Sequence, residues 1–300
     1  MTVLLGELTA EQIERMPYAR LVALIGEVNR PPGGKRTVRR IAELARLDSR
    51  SRVLEVGCTT GFTSVELAVS TGARVTGIDV EPAAVEQAER WRRQLPAEIA
   101  ERLEFHTADV TSWHAAEPFD LVVTGGATTF IEDKQAAIAS YRRLLRPYGL
   151  LSVAGLYYRE PPPPEVVRTV EEALGFSLTL RTREDWLELF LADPFFSVHQ
   201  LEDHELCARE QDVLVAHVEY LTSQQHLPAL GEDPRAAVRT RWLRTLTAFN
   251  DNHRYLSYLL LMLRADTVPE QPELFVPAGE FDLFEWRLRR PGTSPAPGRR

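Results

Sequence analysis

The densest chemistry in the chain lies between Val53 and Gly61 (VLEVGCTTG), where a short apolar run gives way to two glycines, Gly57 and Gly61, with the acid Glu55 just ahead of them. Glycines at a strand-to-helix turn let a ligand approach backbone amides closely. A dinucleotide fingerprint would need glycines at Gly57, Thr59 and Phe62, and only the first is present, so NAD and FAD are disfavoured. A Walker loop fails too, because Gly33, Gly34 and Lys35 lack a preceding glycine at the required spacing and a strand leading in. A carboxylate beside this turn opposes a pyrophosphate and favours a cationic ligand.

With Glu55, Gly57 and Gly61 the turn resembles motif I of the class I S-adenosylmethionine-dependent methyltransferases, of the small-molecule type, with Thr59 where the middle glycine usually stands. Other stretches are similar to the same family: Gly77 to Pro82 (GIDVEP), Thr107 to Val110 (TADV), Pro118 to Val123 (PFDLVV), the pair Asp133 and Lys134, and Arg143 to Gly149 (RLLRPYG) with Tyr148 at a usual glycine. Arg30 to Gly34 (RPPGG) resembles an N-terminal loop that lies over the cofactor in such proteins. The resemblance spans about residues 30 to 206. It implies that S-adenosylmethionine binds, and leaves as S-adenosylhomocysteine, at Glu55, Gly57, Cys58, Thr59, Gly61, Asp79, Val80, Asp109, Val110 and Thr124. Within that set Asp79 would take both ribose hydroxyls, against a plain role as a helix cap, and Asp109 would sit near the adenine amine, against a plain role as a turn residue. The implied reaction is methyl transfer to the O, N or C atom of a small organic acceptor, secondary metabolites included. A related enzyme that uses the cofactor for cyclisation or decarboxylation, and a non-catalytic cofactor-binding protein, stay open beside it.

Methyl transfer from a sulfonium is an in-line displacement, so alignment and exclusion of water supply much of the catalysis. An acceptor that must lose a proton needs a base, and His253 and His217 are the candidates, each weighed against an ordinary structural histidine. Tyr157 and Tyr158 could line an aromatic pocket, but neighbouring strand residues face opposite ways, so one at most does so. Where methyltransferases acting on nucleic-acid amines carry an acid or amide, two prolines and an aromatic, this chain has Thr124 to Ala127 (TGGA), so base amines are not the expected acceptors. His199 and His204 lack helical metal spacing, and no metal is expected.

These residues need elements to place them. Apolar positions at Leu8, Ile13, Met16, Leu21, Leu24, Ile25 and Val28 predict an N-terminal helical segment over residues 1–29, broken near Pro17. From 30 to 206 helix and strand patterns alternate, which predicts an α/β fold: a Rossmann-like, mostly parallel twisted sheet with helices on both faces. Pro161 to Pro164 reads as a stiff connector. Residues 207–253 carry two helical patterns, the second expected to start with Asp233 as cap and Pro234 in the first turn, and they read as a helical cap insertion over the ligand edge. In residues 254–290 the run Tyr255 to Leu263 predicts a last central strand that partners the strand starting near Phe195. Residues 291–300 (PGTSPAPGRR) have the composition of a disordered tail.

The chain has 300 residues, 44% hydrophobic and 26% charged, which suits a globular protein with a sizeable core. A net charge of −8 disfavours a partner held by phosphate contacts, so nucleic acid is not expected. No apolar run approaches a membrane span, no signal peptide is legible, and Cys58 and Cys207 stand far apart, all of which predicts a cytoplasmic protein with reduced thiols. A small-molecule substrate is expected, and the helical cap could also make a homodimer.

Overall fold

The computed structural model describes residues 8–27, 30–224, 227–269 and 271–289. Val28 and the tail from Pro291 lie outside them. Seven strands form one sheet: β1 (Arg52–Val56), β2 (Arg74–Asp79), β3 (Leu103–Thr107), β4 (Phe119–Thr124), β5 (Leu145–Tyr158), β6 (Phe196–Glu205) and β7 (Leu256–Ala265), in the order β3-β2-β1-β4-β5-β7-β6. The pairings from β3 across to β5 are parallel, while β7 runs antiparallel to both its neighbours. The predicted last strand is present and partners the strand that starts at Phe196; it lies between β5 and β6 and is nearly all buried because it has a strand on either side and helices above and below.

The chain builds outward from β1 in one direction, then returns to lay β4 and β5 on the other side. That reversal is a topological switch point, and a crevice opens at the carboxyl ends of β1 and β4. One face of the sheet is covered by α3 (Lys35–Leu44), α4 (Phe62–Thr71), α5 (Pro82–Arg92) and the short α6 (Ala97–Ala100) around Val53, Leu67, Val75 and Leu121. The other face carries α7 (Ala127–Phe130) at the β4 exit, then α8 (Lys134–Leu144) and α10 (Arg183–Leu191) around Tyr141, Trp186 and Phe190. Between β5 and α10 runs α9 (Pro164–Leu174), which starts on a proline at its first turn and ends on Gly175 in the left-handed region, so the proline run reads directly into a helix.

At the N-terminus α1 (Ala10–Arg15) and α2 (Tyr18–Ile25) are parted at Met16 and Pro17, as the sequence predicts. The cap insertion holds α11 (Gln211–Thr222) and α12 (Glu232–His253). The start of α12 differs from the sequence reading: Gly231 is its first flanking residue, no side chain caps it, and Asp233 lies inside the first turn, where its charge still meets the positive end of the helix. Because β6 runs parallel to the first five strands and β7 against them, the cap leaves the sheet after Glu205 and rejoins it at Leu256, both at the carboxyl edge. Its apolar stripe is covered by the chain itself. Val218, Leu221, Val238 and Trp242 pack with Ile13, Leu21, Val22 and Ile25 in a third core, so α1 and α2 belong structurally with the cap. The last helix, α13 (Leu283–Leu288), rests on the α10 side of the sheet through Leu283 and Trp286.

Candidate functional site

The turn after β1 is a tight left-handed structure. Gly57 and Gly61 have φ of 73° and 88°, and Thr59 between them is itself at 44°. The glycines are required sterically as well: a Cβ on Gly57 would stand 2.4 Å from the Cβ of Ala127, and one on Gly61 2.9 Å from the Phe105 ring. The β1 turn and the β4 exit thus touch at the switch point, leaving no room for a side chain between them. Gly57 and Cys58 donate their amides to the Ile78 carbonyl, and Thr59 donates its amide to Asp79 Oδ2 at 2.9 Å.

Asp79, at the end of β2, accepts on Oδ1 from the Glu81 amide at 2.9 Å. The cap of α5 is Glu81, whose carboxylate accepts from the Ala83 amide, so the cap reading of Asp79 is set aside. The Asp79 carboxylate, which the Val80 amide also approaches, keeps lone-pair capacity for a hydroxyl. Burial raises the Asp79 carboxyl above its ordinary value. Beside it Val80 is 69% exposed, an apolar side chain left open at the strand end. Asp109, after β3, is exposed and accepts on Oδ1 from both the amide and the hydroxyl of Thr111, so it organises its own turn with Oδ2 still open.

Four of the residues implied by the resemblance lie under the site. Glu55 is buried, and its Oε2 accepts from the Ser64 amide at 2.8 Å and the Ser64 hydroxyl at 2.5 Å, in the first turn of α4. It faces that helix, which overturns a simple direct contact with a ligand cation; burial lifts it to about 7. Cys58 points inward against Gly77, and Val110 is a core residue. Thr124 is fully buried, and its hydroxyl continues a chain through Thr128 to the Tyr141 hydroxyl, with spacings of 2.8 and 3.1 Å. The side chains of Cys58, Val110 and Thr124 all face the core.

The predicted acceptor residues separate. Tyr157 donates its hydroxyl to Asp203 Oδ1 at 3.1 Å, on the α10 face where Arg183 also holds Asp203, so it is removed from the crevice as a candidate. Tyr158 faces the other way and its hydroxyl accepts from Asn252 Nδ2 at 3.0 Å. His253, the last residue of α12, is half-buried, and desolvation pushes its imidazole below the ordinary value. His217, on α11, has its Nε2 3.1 Å from Glu27 Oε2. Glu27 also accepts the Thr60 hydroxyl on its backbone carbonyl at 3.0 Å, which ties it to the β1 turn. Sequence reasoning missed Glu27: nothing in its neighbours marks an acid whose partner is 190 residues away. It also left unweighed the role of Arg30, whose guanidinium lies 5.2 Å from the Phe62 ring centroid while Pro31 reaches over Gly125, so the Arg30 to Gly34 loop does lie across the crevice.

The arrangement fits a cationic nucleoside. The Asp79 charge adds to burial in raising the Glu55 carboxyl, and neither acid forms an ion pair among the described residues. A chain with this geometry matches the description of a methyltransferase domain over residues 53–149. It is 30% identical over 243 residues to nocamycin O-methyltransferase from Saccharothrix syringae, an alignment covering 70% of this chain and 82% of that one. The chain belongs to the class I S-adenosylmethionine-dependent methyltransferases. Among solved structures, this methyltransferase is similar to the [4+2]-cyclase SpnF, with a TM-score of 0.63 and 22% identity over 89% of this chain and all of that one. It is also similar to a Geobacter sulfurreducens methyltransferase in complex with S-adenosylhomocysteine, with a TM-score of 0.61 and 18% identity over 85% of this chain and 99% of that one. Its cofactor is S-adenosylmethionine, its reaction is methyl transfer to a small organic acceptor, and no helix among the described residues is long and apolar enough to cross a membrane.

Proposed function

We propose that this methyltransferase alkylates a hydroxyl oxygen of a small, largely apolar acceptor of the secondary-metabolite kind, held between the carboxyl edge of the sheet and the helical cap, with His217 as the base. The observation that carries this reading is the 3.1 Å contact between His217 and Glu27, the residue whose carbonyl is bonded by Thr60 of the cofactor turn. A carboxylate on one imidazole nitrogen fixes the tautomer and leaves the other nitrogen to receive a proton. An alcohol or phenol needs that service, whereas a neutral amine does not. The similarity to nocamycin O-methyltransferase points to the same acceptor atom.

The residues that would hold the cofactor are Asp79 at the ribose, Val80 and Asp109 at the base, and the backbone from Gly57 to Gly61 with the first turn of α4 at the amino-acid end. Bound there, S-adenosylmethionine supplies an already activated methyl group. The protein's own work is to orient the acceptor, to keep water out with the Arg30 to Gly34 loop and the cap, and to take one proton. His253 is the second base candidate; among the described residues it has no hydrogen-bonding partner to orient it. The cap's apolar stripe is already covered by α1 and α2, so the reading calls for no second copy of the chain.

The test is a screen of phenols, aliphatic alcohols, carboxylic acids and amines with methyl-labelled cofactor, read by product mass and by the position of the label. Label on oxygen, with kcat reduced about a hundredfold or more in His217→Ala, is the expected result. Label on nitrogen or carbon, or an isomerised product of unchanged mass, would overturn it.

A further inference from the structure

Between Leu256 and Leu263 β7 is aliphatic but for Ser257 and Tyr258, which stand where the chain returns from the cap to the carboxyl edge of the sheet. Tyr258 shares a strand face with Leu260 and Met262, the face that α3 covers. It is buried, and its ring lies on that of His204 from β6, with centroids 4.8 Å apart. From the same strand Glu202 Oε1 accepts from Arg40 Nε and Nη2 at 2.8 and 2.7 Å, so β6 fastens α3 to this corner. The Tyr258 hydroxyl reaches the loop that crosses the crevice. A Cβ on Gly33 would stand 2.2 Å from that oxygen and 2.3 Å from Thr37 Oγ1, so the loop backbone rests directly on the two hydroxyls. Thr37, in the first turn of α3, donates to the Pro32 carbonyl at 2.6 Å, and Tyr258 Oη lies 3.4 Å from Thr37 Oγ1. The end of this chain sets its direction: a carbonyl only accepts, so Thr37 gives its one proton to Pro32, and Tyr258 donates to Thr37.

We propose that Tyr258 is a positioning residue for the cofactor: its hydroxyl seats the Arg30 to Gly34 loop across the crevice and so slows the departure of S-adenosylmethionine and of its thioether product. It acts through Gly33, Thr37 and Pro32 and touches no reacting atom. The other contacts of the loop are looser. Arg30 lies over the Phe62 ring and Pro31 meets Gly125 at van der Waals distance, so both slide at little cost, whereas the seat at Gly33 leaves no room for a shift toward β7. The two kinds of contact stand at opposite ends of the loop, which therefore bridges the β1 turn and the β4 exit on one side and the β7 strand on the other. This inference rests on the cofactor reading and adds to it the residue that holds the cover in place.

Tyr258→Phe keeps the ring on His204 and removes only the hydroxyl. Labelled S-adenosylhomocysteine, chased from the full chain with excess unlabelled ligand, should leave about three- to tenfold faster, the effect of one neutral hydrogen bond. With an acceptor from the screen, KM for S-adenosylmethionine should rise by a similar factor and kcat should not fall. In the ligand-free chain the Gly34 amide, which donates to the Pro31 carbonyl at 2.8 Å, should exchange its hydrogen faster by a like factor while the β7 amides keep their protection. Thr37→Val, which removes the donor to Pro32, should act the same way, serves if Tyr258→Phe does not fold, and should add little to it, since the two hydroxyls form one chain. Wild-type dissociation or wild-type Gly34 exchange in both variants, or lost protection spread through β7, overturns the inference while the cofactor reading stands. Binding of neither sulfur nucleoside to the wild type overturns the cofactor reading and the inference with it.

Discussion

Thr59 is a β-branched residue held at φ 44°, a conformation that costs an L-residue about 1–2 kcal/mol and that glycine adopts freely. Its amide is needed by Asp79, and glycine has the same amide. Thr59→Gly should therefore raise thermal stability by about 1 kcal/mol without loss of cofactor binding, measured by melting with and without S-adenosylhomocysteine. Asp79 is used twice, by the amides of Thr59 and Glu81 and by the expected ribose hydroxyls. Saturation at a hundredfold Kd should stabilise the wild type by about 2.7 kcal/mol, several degrees of melting temperature, and Asp79→Ala should lose nearly all of that shift for both sulfur nucleosides. A full shift in Asp79→Ala would mean that the ribose is held elsewhere.

The elements are joined by contacts of very different legibility. Arg241 of α12 is 8% exposed and donates to the carbonyls of Ile13 and Met16, closing the otherwise open end of α1. Arg241→Ala strands two buried carbonyls, so the N-terminal helices should loosen by a few kcal/mol, on the order of 2–4, while the sheet stays folded. Hydrogen exchange should show fast amides confined to α1, α2 and the cap; uniform loss of protection would count against this. The alternating strands and helices, the glycine turn and the last central strand are readable in the chain, because each is written in local periodicity or turn chemistry, whereas the antiparallel direction of that strand is not. Arg241 with Ile13, Glu27 with His217 and Glu55 with Ser64 are not, because a polar pair formed across the fold leaves no local pattern. The same holds for side chains that point the other way from their motif. Cys58 and Thr124 stand in the resembling segments and still face the core, since strand and turn geometry, more than residue type, sets direction.

At the scale of the molecule, the buried acids tie stability to pH. The Glu55 carboxyl rises from 4.5 to about 7 on folding, so the folded state holds its proton more firmly than the unfolded chain. Its stabilising contribution is whole below about pH 4.5 and is lost as pH climbs through about 7, a change of at most about 3 kcal/mol. Asp79 shifts in the same direction. Denaturation of the ligand-free protein between pH 5 and pH 8 should show stability falling, with a shallower fall in Glu55→Gln; equal slopes in the two proteins would count against this assignment.

The excursion from Glu205 to Leu256 begins and ends on adjacent strands, about 5 Å apart, so its length and shape are free of the sheet that carries it. Its apolar face is nevertheless fitted to a stretch far away in the sequence, Leu8 to Ile25. The exchangeable unit for altering acceptor range is therefore split in two. A chimera that takes both stretches from one relative should express as a soluble, cofactor-binding protein, whereas one that takes the excursion alone should expose mismatched apolar surface and aggregate.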